Sequence, residues 1–349
     1  MNFRDYCRKL KDSLLMDLSW ATGVPLRPSR IFLGLTPRCN FRCQMCDLWQ
    51  EKPPEGMLDT GAKLQILAKL REELGPCEVS FYGGEPTLNF PELLTLTRFC
   101  AAHGLAAQFN TNAYLLDARR REEIVAAGIW RITLSLDALV PEVHDRLRGV
   151  PGAWQRAMEA LEHFQELRRK YPHFEVEVFS VLMEPTLPHL PQVARFCRER
   201  RIVWDYQEIM GTFAFGRRPF TPEWWAANPL FVRDLAGLER TLADLTDLGV
   251  APARLARTRD YFREPQRPRP CAVGFTNLVI DYQGELRFCF TLGSFGTWQD
   301  PLLATWRHSP RAREERRRTR SCPLPCSLLM CNLYRSTLTR VREKISHSF

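Results

Sequence analysis

Three cysteines stand together in one short segment, Cys39, Cys43 and Cys46, in the order C-x3-C-x2-C. Thiolates are soft ligands that suit zinc and iron–sulfur clusters. Three on one loop can hold three irons of a [4Fe-4S] cube and leave the fourth iron open to another ligand. Zinc is the competing reading, but a structural zinc site wants four closed ligands, and no local His or fourth Cys completes this set. A second group, Cys271, Cys289, Cys322, Cys326 and Cys331, lies toward the C-terminus, while Cys7, Cys77, Cys100 and Cys197 stand apart. The scattered four are expected to pack as small buried hydrophobes. Charged residues interrupt Met1 to Trp20, so it lacks the apolar centre of a secretion signal, and the expected location is the cytoplasm. Twelve cysteines in such a chain point to metal or redox chemistry more than to disulfides.

The elements that must position these thiols are legible from residue 27 onward. Ile31 to Thr36, Glu78 to Tyr82, Ala106 to Asn110, Arg131 to Leu136, Glu175 to Leu182 and Val203 to Ile209 read as strands. Amphipathic helices are expected over Thr60 to Leu74, Pro91 to His103, Asp117 to Ala127, Ala153 to Lys170 and Leu190 to Arg200. This alternation argues for an α/β fold with a parallel sheet and helical crossovers, either an open sheet or a partial barrel. The cysteine loop then follows the first strand, at the end of the sheet where parallel α/β folds carry their active sites. Beyond Gly211 come an aromatic and Pro-rich stretch, a helix expected over Phe231 to Leu248, and an Arg- and Pro-rich linker, Arg263 to Pro270. A hairpin is expected in which Leu278 to Tyr282 and Glu285 to Phe290 flank a turn at Gln283-Gly284.

Composition bounds the partners. The 349 residues are 45% hydrophobic and 26% charged, which excludes disordered and collagen-like chains. The longest apolar runs, such as Ile31 to Leu35 and Ile124 to Trp130, fall far short of the roughly 20 residues a membrane-spanning helix needs. The net charge is +9, and the segment Arg307 to Arg320, with seven Arg and two Glu, supplies +5 of it. A single local run reads as a solvated helix face, so no nucleic-acid partner is expected. At the N-terminus, Phe3, Tyr6, Leu10 and Leu14 have helical spacing and are expected to dock on the barrel.

The segment Leu35 to Cys46 resembles the radical S-adenosylmethionine (radical SAM) superfamily, whose motif is this cysteine loop after the first strand of a partial (β/α)6 barrel. Tyr82-Gly83-Gly84-Glu85-Pro86-Thr87 is similar to the GGEP motif of that family. The resemblance implies that it meets the methionine amino group of SAM, with Gly83 and Gly84 admitting close backbone approach and Glu85 accepting hydrogen bonds from the ammonium. Asn112 closes the third strand in the turn Asn110-Thr111-Asn112. The resemblance assigns Ser135 and Asp137, after the fourth strand, to the methionine carboxylate and ribose hydroxyls. Arg148 reads either as an aid to carboxylate binding or as a surface ion pair. Met45 stands where relatives usually carry an aromatic residue, and its thioether is expected to cover the adenine. On the fifth strand, Val181 and Leu182 read as core residues.

The run Gly284 to Cys289, G-x4-C, resembles the opening of a SPASM domain. The full pattern of that domain has seven cysteines for two clusters. Five are present here, so the resemblance implies a shortened, twitch-like domain with one auxiliary [4Fe-4S] cluster. Its four ligands would come from Cys271, Cys289, Cys322, Cys326 and Cys331, with zinc as the alternative occupant. The implied organisation is a helical extension over 1–26, the barrel over 27–210, a bridging region over 211–270, and the small Fe-S domain with its β-hairpin and a C-terminal helix over 271–349.

The implied activity is reductive cleavage of SAM to methionine and a 5′-deoxyadenosyl radical, which abstracts hydrogen from a peptide or small-molecule substrate. The auxiliary cluster would make the net reaction an oxidation, and the electron would come from a reductant such as flavodoxin or ferredoxin. Epimerisation or methylation is the alternative within enzymes. A non-catalytic Fe-S or zinc protein binding nucleic acid through Arg307 to Arg320 is the alternative of another class, and it has no use for Glu85, Ser135 or Asp137.

Overall fold

Polar and apolar residues alternate along the β-rich runs, and that alternation decides the architecture. The computed structural model describes residues 14–210, 227–265, 271–320 and 322. In it β1 (Arg30–Thr36), α1 (Thr60–Leu74), β2 (Glu78–Gly83), α2 (Phe90–Ala102), β3 (Ala106–Thr111), α3 (Ala118–Ala126), β4 (Arg131–Ser135), α4 (Pro141–Arg148), α5 (Ala153–Lys170), β5 (Glu175–Leu182), α6 (Leu190–Glu199) and β6 (Val203–Glu208) follow in order. Among the described residues one nine-stranded sheet has the order β6-β5-β4-β3-β2-β1-β7-β8-β9. The pairs from β1 to β6 are all parallel. Sequential parallel strands joined by helices make an α/β sheet of partial-barrel type.

Ile31, Leu33, Val79, Phe81, Ala107, Phe109, Ile132, Leu134, Val176 and Val178 turn to one side and are buried in a single core with the helices. The opposite, inner side is polar. Register places Ser80 level with Gln108, Gln108 with Arg131, Thr133 with Glu177, and Phe179 with Asp205. At the amino end of this inner face, Arg131 bridges Glu78 and Glu177 at 3.3 Å each, and Gln108 donates to Glu78 at 2.7 Å.

The C-terminal part extends the barrel's own sheet. β7 (Asn277–Ile280) pairs parallel with β1, β8 (Glu285–Arg287) turns back antiparallel, and β9 (Gly296–Thr297) follows. The expected hairpin is present with shorter strands, and Gly284 at its turn has φ +86° with Trp298 packed where a side chain would stand. The helix face expected over Arg307 to Arg320 falls on two helices, α9 (Leu302–His308) and α10 (Pro310–Arg320), because Pro310 ends one and starts the other. The fully solvated face expected there is also corrected. Arg316 is buried among Phe275, Phe288 and Trp306 and donates to the carbonyls of Gly274 and Trp306 at 2.8 and 2.6 Å.

In the bridging region, α7 (Leu235–Asp247) starts four residues later than expected from Phe231. The Asp234 carboxylate caps it by accepting from the Gly237 amide at 2.8 Å, and Phe231 and Val232 anchor a second core instead of joining the helix. α8 (Pro252–Arg263) was not legible; like α4 it is short and opens on proline. The aromatic stretch from 212, Cys7 and most of the Arg263–Pro270 linker lie outside the described residues.

One buried ion pair fixes the end of β1. Lys63 of α1 lies 2.9 Å from Glu92 of α2 and donates to the Leu35 carbonyl at 3.3 Å; Glu92 also accepts from Thr60 and Asn89. Lys63→Met leaves a buried carboxylate unpaired and is expected to cost about 3–5 kcal/mol, whereas Lys63→Met/Glu92→Leu restores most of it. Urea midpoints of the two variants against wild type measure this; equal losses in both would remove the pair from the account.

Candidate active site

The loop after β1 is clamped from three sides. On the β2 side, Gly84 and Glu85 donate their amides to the carbonyls of Thr36 and Arg38 at 2.7 and 2.9 Å. A Cβ on Gly83 would lie 2.0 Å from the Thr36 oxygen, and one on Gly84 would lie 2.1 Å from the Arg38 oxygen. The close approach these glycines permit is to the backbone of the cysteine loop itself. On the β3 side, Asn112 donates to Asn40 at 2.9 Å and Phe41 is buried edge-on against Tyr114. On the α4 side, Gln44 donates its backbone and side-chain N–H groups to the carbonyls of Leu147 and Arg146 at 2.9 and 3.0 Å.

This clamp presents Cys39, Cys43 and Cys46 as free, partly exposed thiols. Burial pushes Cys39 up to about 12 and Cys46 up to about 11; Cys43 and Cys46 push Cys39 further, and Cys43 pushes Cys46. Burial also raises Cys43, against the pull of the Arg148 guanidinium. Three mutually repelling thiols in such surroundings become thiolates when a cation binds them. Among the described residues, no three His, Cys, Asp or Glu side chains gather closely enough to hold a single metal ion. Three thiols on one loop are a donor set that fits a centre of several irons, in which each thiolate binds its own iron.

Around the thiols stand the other expected residues. Glu85 is buried; Oε1 accepts from the Thr87 amide and from the hydroxyls of Thr87 and Thr111, and Oε2 accepts from the Asn112 amide at 2.9 Å. Burial raises its carboxyl, and those bonds hold the rise back. Oε2, with one bond, keeps capacity for a ligand amine. Ser135 ends β4 half-buried, and its hydroxyl makes no hydrogen bond among the described residues. Asp137 is fully buried and committed within the protein: Oδ1 accepts from the Val181 amide at 2.9 Å and Oδ2 from Arg148 at 2.7 Å. Arg148 is thus the buried ion-pair partner of Asp137, and the surface ion pair expected as one alternative is corrected. Met45 packs partly buried against the second core.

His144, on the same helix face as Arg148, escaped the sequence reading. Its Nδ1 accepts the Asp137 amide at 3.2 Å, and the i, i+4 spacing to Arg148 is the signal that could have found it. At the second cysteine group, Cys271 is pushed up to about 12 by burial and further by Cys289 and Cys322. Cys271 donates its amide to Thr319, and Thr291 bonds the Cys289 sulfur through its amide and hydroxyl. Cys326 and Cys331 lie outside the described residues. The two groups are separated by rings: Phe290 packs on Phe32 and Tyr82, and Tyr82 on Tyr282.

Residues 33–197 match the family model described as "Radical SAM superfamily". Among curated proteins the chain is 27% identical over 164 residues to an AdoMet-dependent heme synthase of Oleidesulfovibrio alaskensis, covering 47% of this chain and 40% of that protein. It is 28% identical over 172 residues to a PqqA peptide cyclase of Bradyrhizobium diazoefficiens, covering 49% and 43%. The chain therefore spans about two-fifths of the length of these relatives. Among solved structures, Streptococcus suis SuiB bound to S-adenosylmethionine superposes with a TM-score of 0.64 at 17% identity, covering 90% of this chain and 71% of that one. That likeness establishes the fold, a parallel-dominated sheet of the radical SAM partial-barrel kind.

The buried imidazole gives the site a pH signature. Burial and then Arg148 push His144 down to about 4. Between about 6.5, the ordinary value, and about 4 the unfolded chain binds a proton that the folded chain refuses, so stability falls as pH drops through this window. His144 is expected to contribute a loss of about 3 kcal/mol from pH 7 to pH 4, absent in His144→Gln. Urea unfolding of both proteins at pH 7, 5.5 and 4 tests it; parallel pH profiles would show that His144 carries none of the loss.

Proposed function

Residues 33–197 form a radical SAM domain, and from that premise we propose that the chain cleaves SAM reductively at a [4Fe-4S] cluster on Cys39, Cys43 and Cys46 to act on a peptide or small molecule. The observation that carries this reading is the clamped loop, with three thiols at the carboxyl ends of the strands beside a buried carboxylate with capacity to spare. When bound, the cluster supplies the electron that splits the sulfonium of SAM to the 5′-deoxyadenosyl radical, which takes hydrogen from the substrate.

The chain's own residues bind and orient. Glu85 Oε2 would accept the methionine ammonium, and the Ser135 hydroxyl would donate to its carboxylate. Arg148, held by Asp137, adds positive charge beside that carboxylate and acts on the Cys43 thiol. Asp137 then acts chiefly through Arg148, not through the ribose as the resemblance alone implies. Gly83, Gly84 and Asn112 keep the loop shut, and the Met45 thioether covers the adenine.

Cys271, Cys289 and Cys322, with Cys326 or Cys331, would hold one auxiliary [4Fe-4S] cluster, making the net reaction an oxidation fed by a flavodoxin- or ferredoxin-type reductant. The influence of Cys289 and Cys322 on the Cys271 thiol supports this. A peptide substrate draws support from the PqqA peptide cyclase and from SuiB, which is also solved bound to its precursor peptide SuiA.

Iron and sulfide analysis with Mössbauer spectra on anaerobically reconstituted protein tests the reading, with Cys39→Ala/Cys43→Ala/Cys46→Ala alongside. Wild type is expected to hold about eight irons and the variant about four. With SAM and dithionite, only wild type should release 5′-deoxyadenosine. An unchanged iron count in the variant, or no nucleoside from wild type, would overturn the catalytic assignment.

A further inference from the structure

The inner face of the sheet carries carboxylates that are ion-paired at one end and one that is not at the other. At the amino end, Arg131 sits between Glu78 and Glu177, and Thr133 also donates to Glu177. Toward the carboxyl ends, nearer the cysteine loop, two rows lead to β6: Ser135, Phe179 and Asp205 lie level, then Val181 and Gln207. Side chains of paired residues share a face, so Asp205 and Gln207 look the same way as Ser135, Phe179 and Val181.

Both polar residues on β6 lack full partners. One oxygen of Asp205 accepts from the Tyr206 amide at 2.7 Å, and the carboxylate forms no ion pair among the described residues. Gln207 is only 7% exposed, yet its amide makes no hydrogen bond among the described residues. Neither is among the polar atoms shut off from solvent, so a ligand donor at these two side chains would replace water there. Glu177 adds negative charge nearby, and burial raises the carboxyls of Glu177 and Asp205. Arg254 and Arg257 of α8 act on Asp205 in the opposite sense. Arg254 is bound to Glu208 and the Tyr206 carbonyl, while Arg257 forms no ion pair among the described residues. On the β1–β2 side the same face offers the rings of Phe32 and Tyr82, with Phe290 packed on both.

We propose that the β5–β6 wall of the barrel interior is a subsite for a cationic hydrogen-bond donor of the substrate, an ammonium group received by Asp205 and Gln207, with aromatic rings on the β1–β2 side. The proposal deepens the function given above and rests on it, because it takes the space beneath the cysteine loop as substrate space. An ammonium brings the donors that both side chains lack and the charge that Asp205 lacks. An anionic group would meet Asp205, and an alkyl group would leave both acceptors unbonded.

Isothermal titration calorimetry on the anaerobically reconstituted protein, with SAM present and no reductant, tests the subsite with three probes: N-acetyl-lysinamide, N-acetyl-norleucinamide and N-acetyl-glutamyl amide. The lysine probe is expected to bind, the norleucine probe at least tenfold more weakly, and the glutamyl probe not measurably. Asp205→Asn and Gln207→Leu should each weaken the lysine probe about tenfold, whereas Asp205→Glu should keep it within a few-fold, all three melting as wild type does. Equal binding of the norleucine probe, preference for the glutamyl probe, no binding of the lysine probe, or an unchanged Asp205→Asn affinity would each overturn the subsite. Release of 5′-deoxyadenosine, assayed on the same preparations with dithionite, reports on the catalytic reading separately. Release without lysine binding sinks the subsite alone; lysine binding without release sinks the catalysis and leaves a binding cleft.

Discussion

Everything at the site depends on how closely the end of β2 can lie against the cysteine loop. The Thr36 and Arg38 carbonyls occupy the positions where side chains on Gly83 and Gly84 would be. That contact is backbone against backbone, and backbone cannot rotate out of the way as a side chain can. It aligns the amides of Gly84 and Glu85 with the loop carbonyls, which directs the Glu85 side chain to the end of β3, where Thr111 and Asn112 hold it. From β3 the chain of contacts returns to the loop through Asn112 and Asn40. The loop is therefore part of a closed ring of hydrogen bonds, and the three thiols inherit its rigidity.

A second ring, built on charge, meets the first at Cys43. Asp137, Arg148 and His144 are all buried, and each is held by another: the carboxylate by the guanidinium, the imidazole by the Asp137 amide. Burying a guanidinium costs free energy unless its charge is matched. Here it is matched on one side by Asp137 and on the other by a thiol that gains negative charge only as a ligand. The arrangement favours the ligated state of Cys43 and links iron binding to the packing of α4.

The six barrel strands were legible to within one residue because their apolar residues alternate and pack on helices, as in Glu175 to Leu182. The cysteine loop and the Gly-Gly-Glu-Pro turn were legible because their chemistry needs those residue types at those spacings. What escaped depends on partners distant in sequence. Nothing in the run Arg307 to Arg320 marks Arg316 as the one that turns inward, because its three rings come from Phe275, Phe288 and Trp306. Phe231 and Val232 read as the first turn of a helix until the Asp234 cap is seen to begin it later. The role of Asp137 was obscured for the same reason: its partners Arg148 and Val181 lie on α4 and β5.

The pairing of β7 with β1 carries a consequence for the order of synthesis. Contacts along this seam join residues 247 apart, such as Ser29 and Thr276. Until β7 arrives, one edge of β1 has no strand beside it, and the loop that follows β1 is anchored from the β2, β3 and α4 sides alone. An open edge on a nascent chain is a template for wrong pairing, and a contact so long in sequence forms late. The edge of the strand that carries the cysteine loop is thus covered only once the distant β7–β8 hairpin has paired, so a chain cut before that hairpin keeps the motif on a strand with one bare edge.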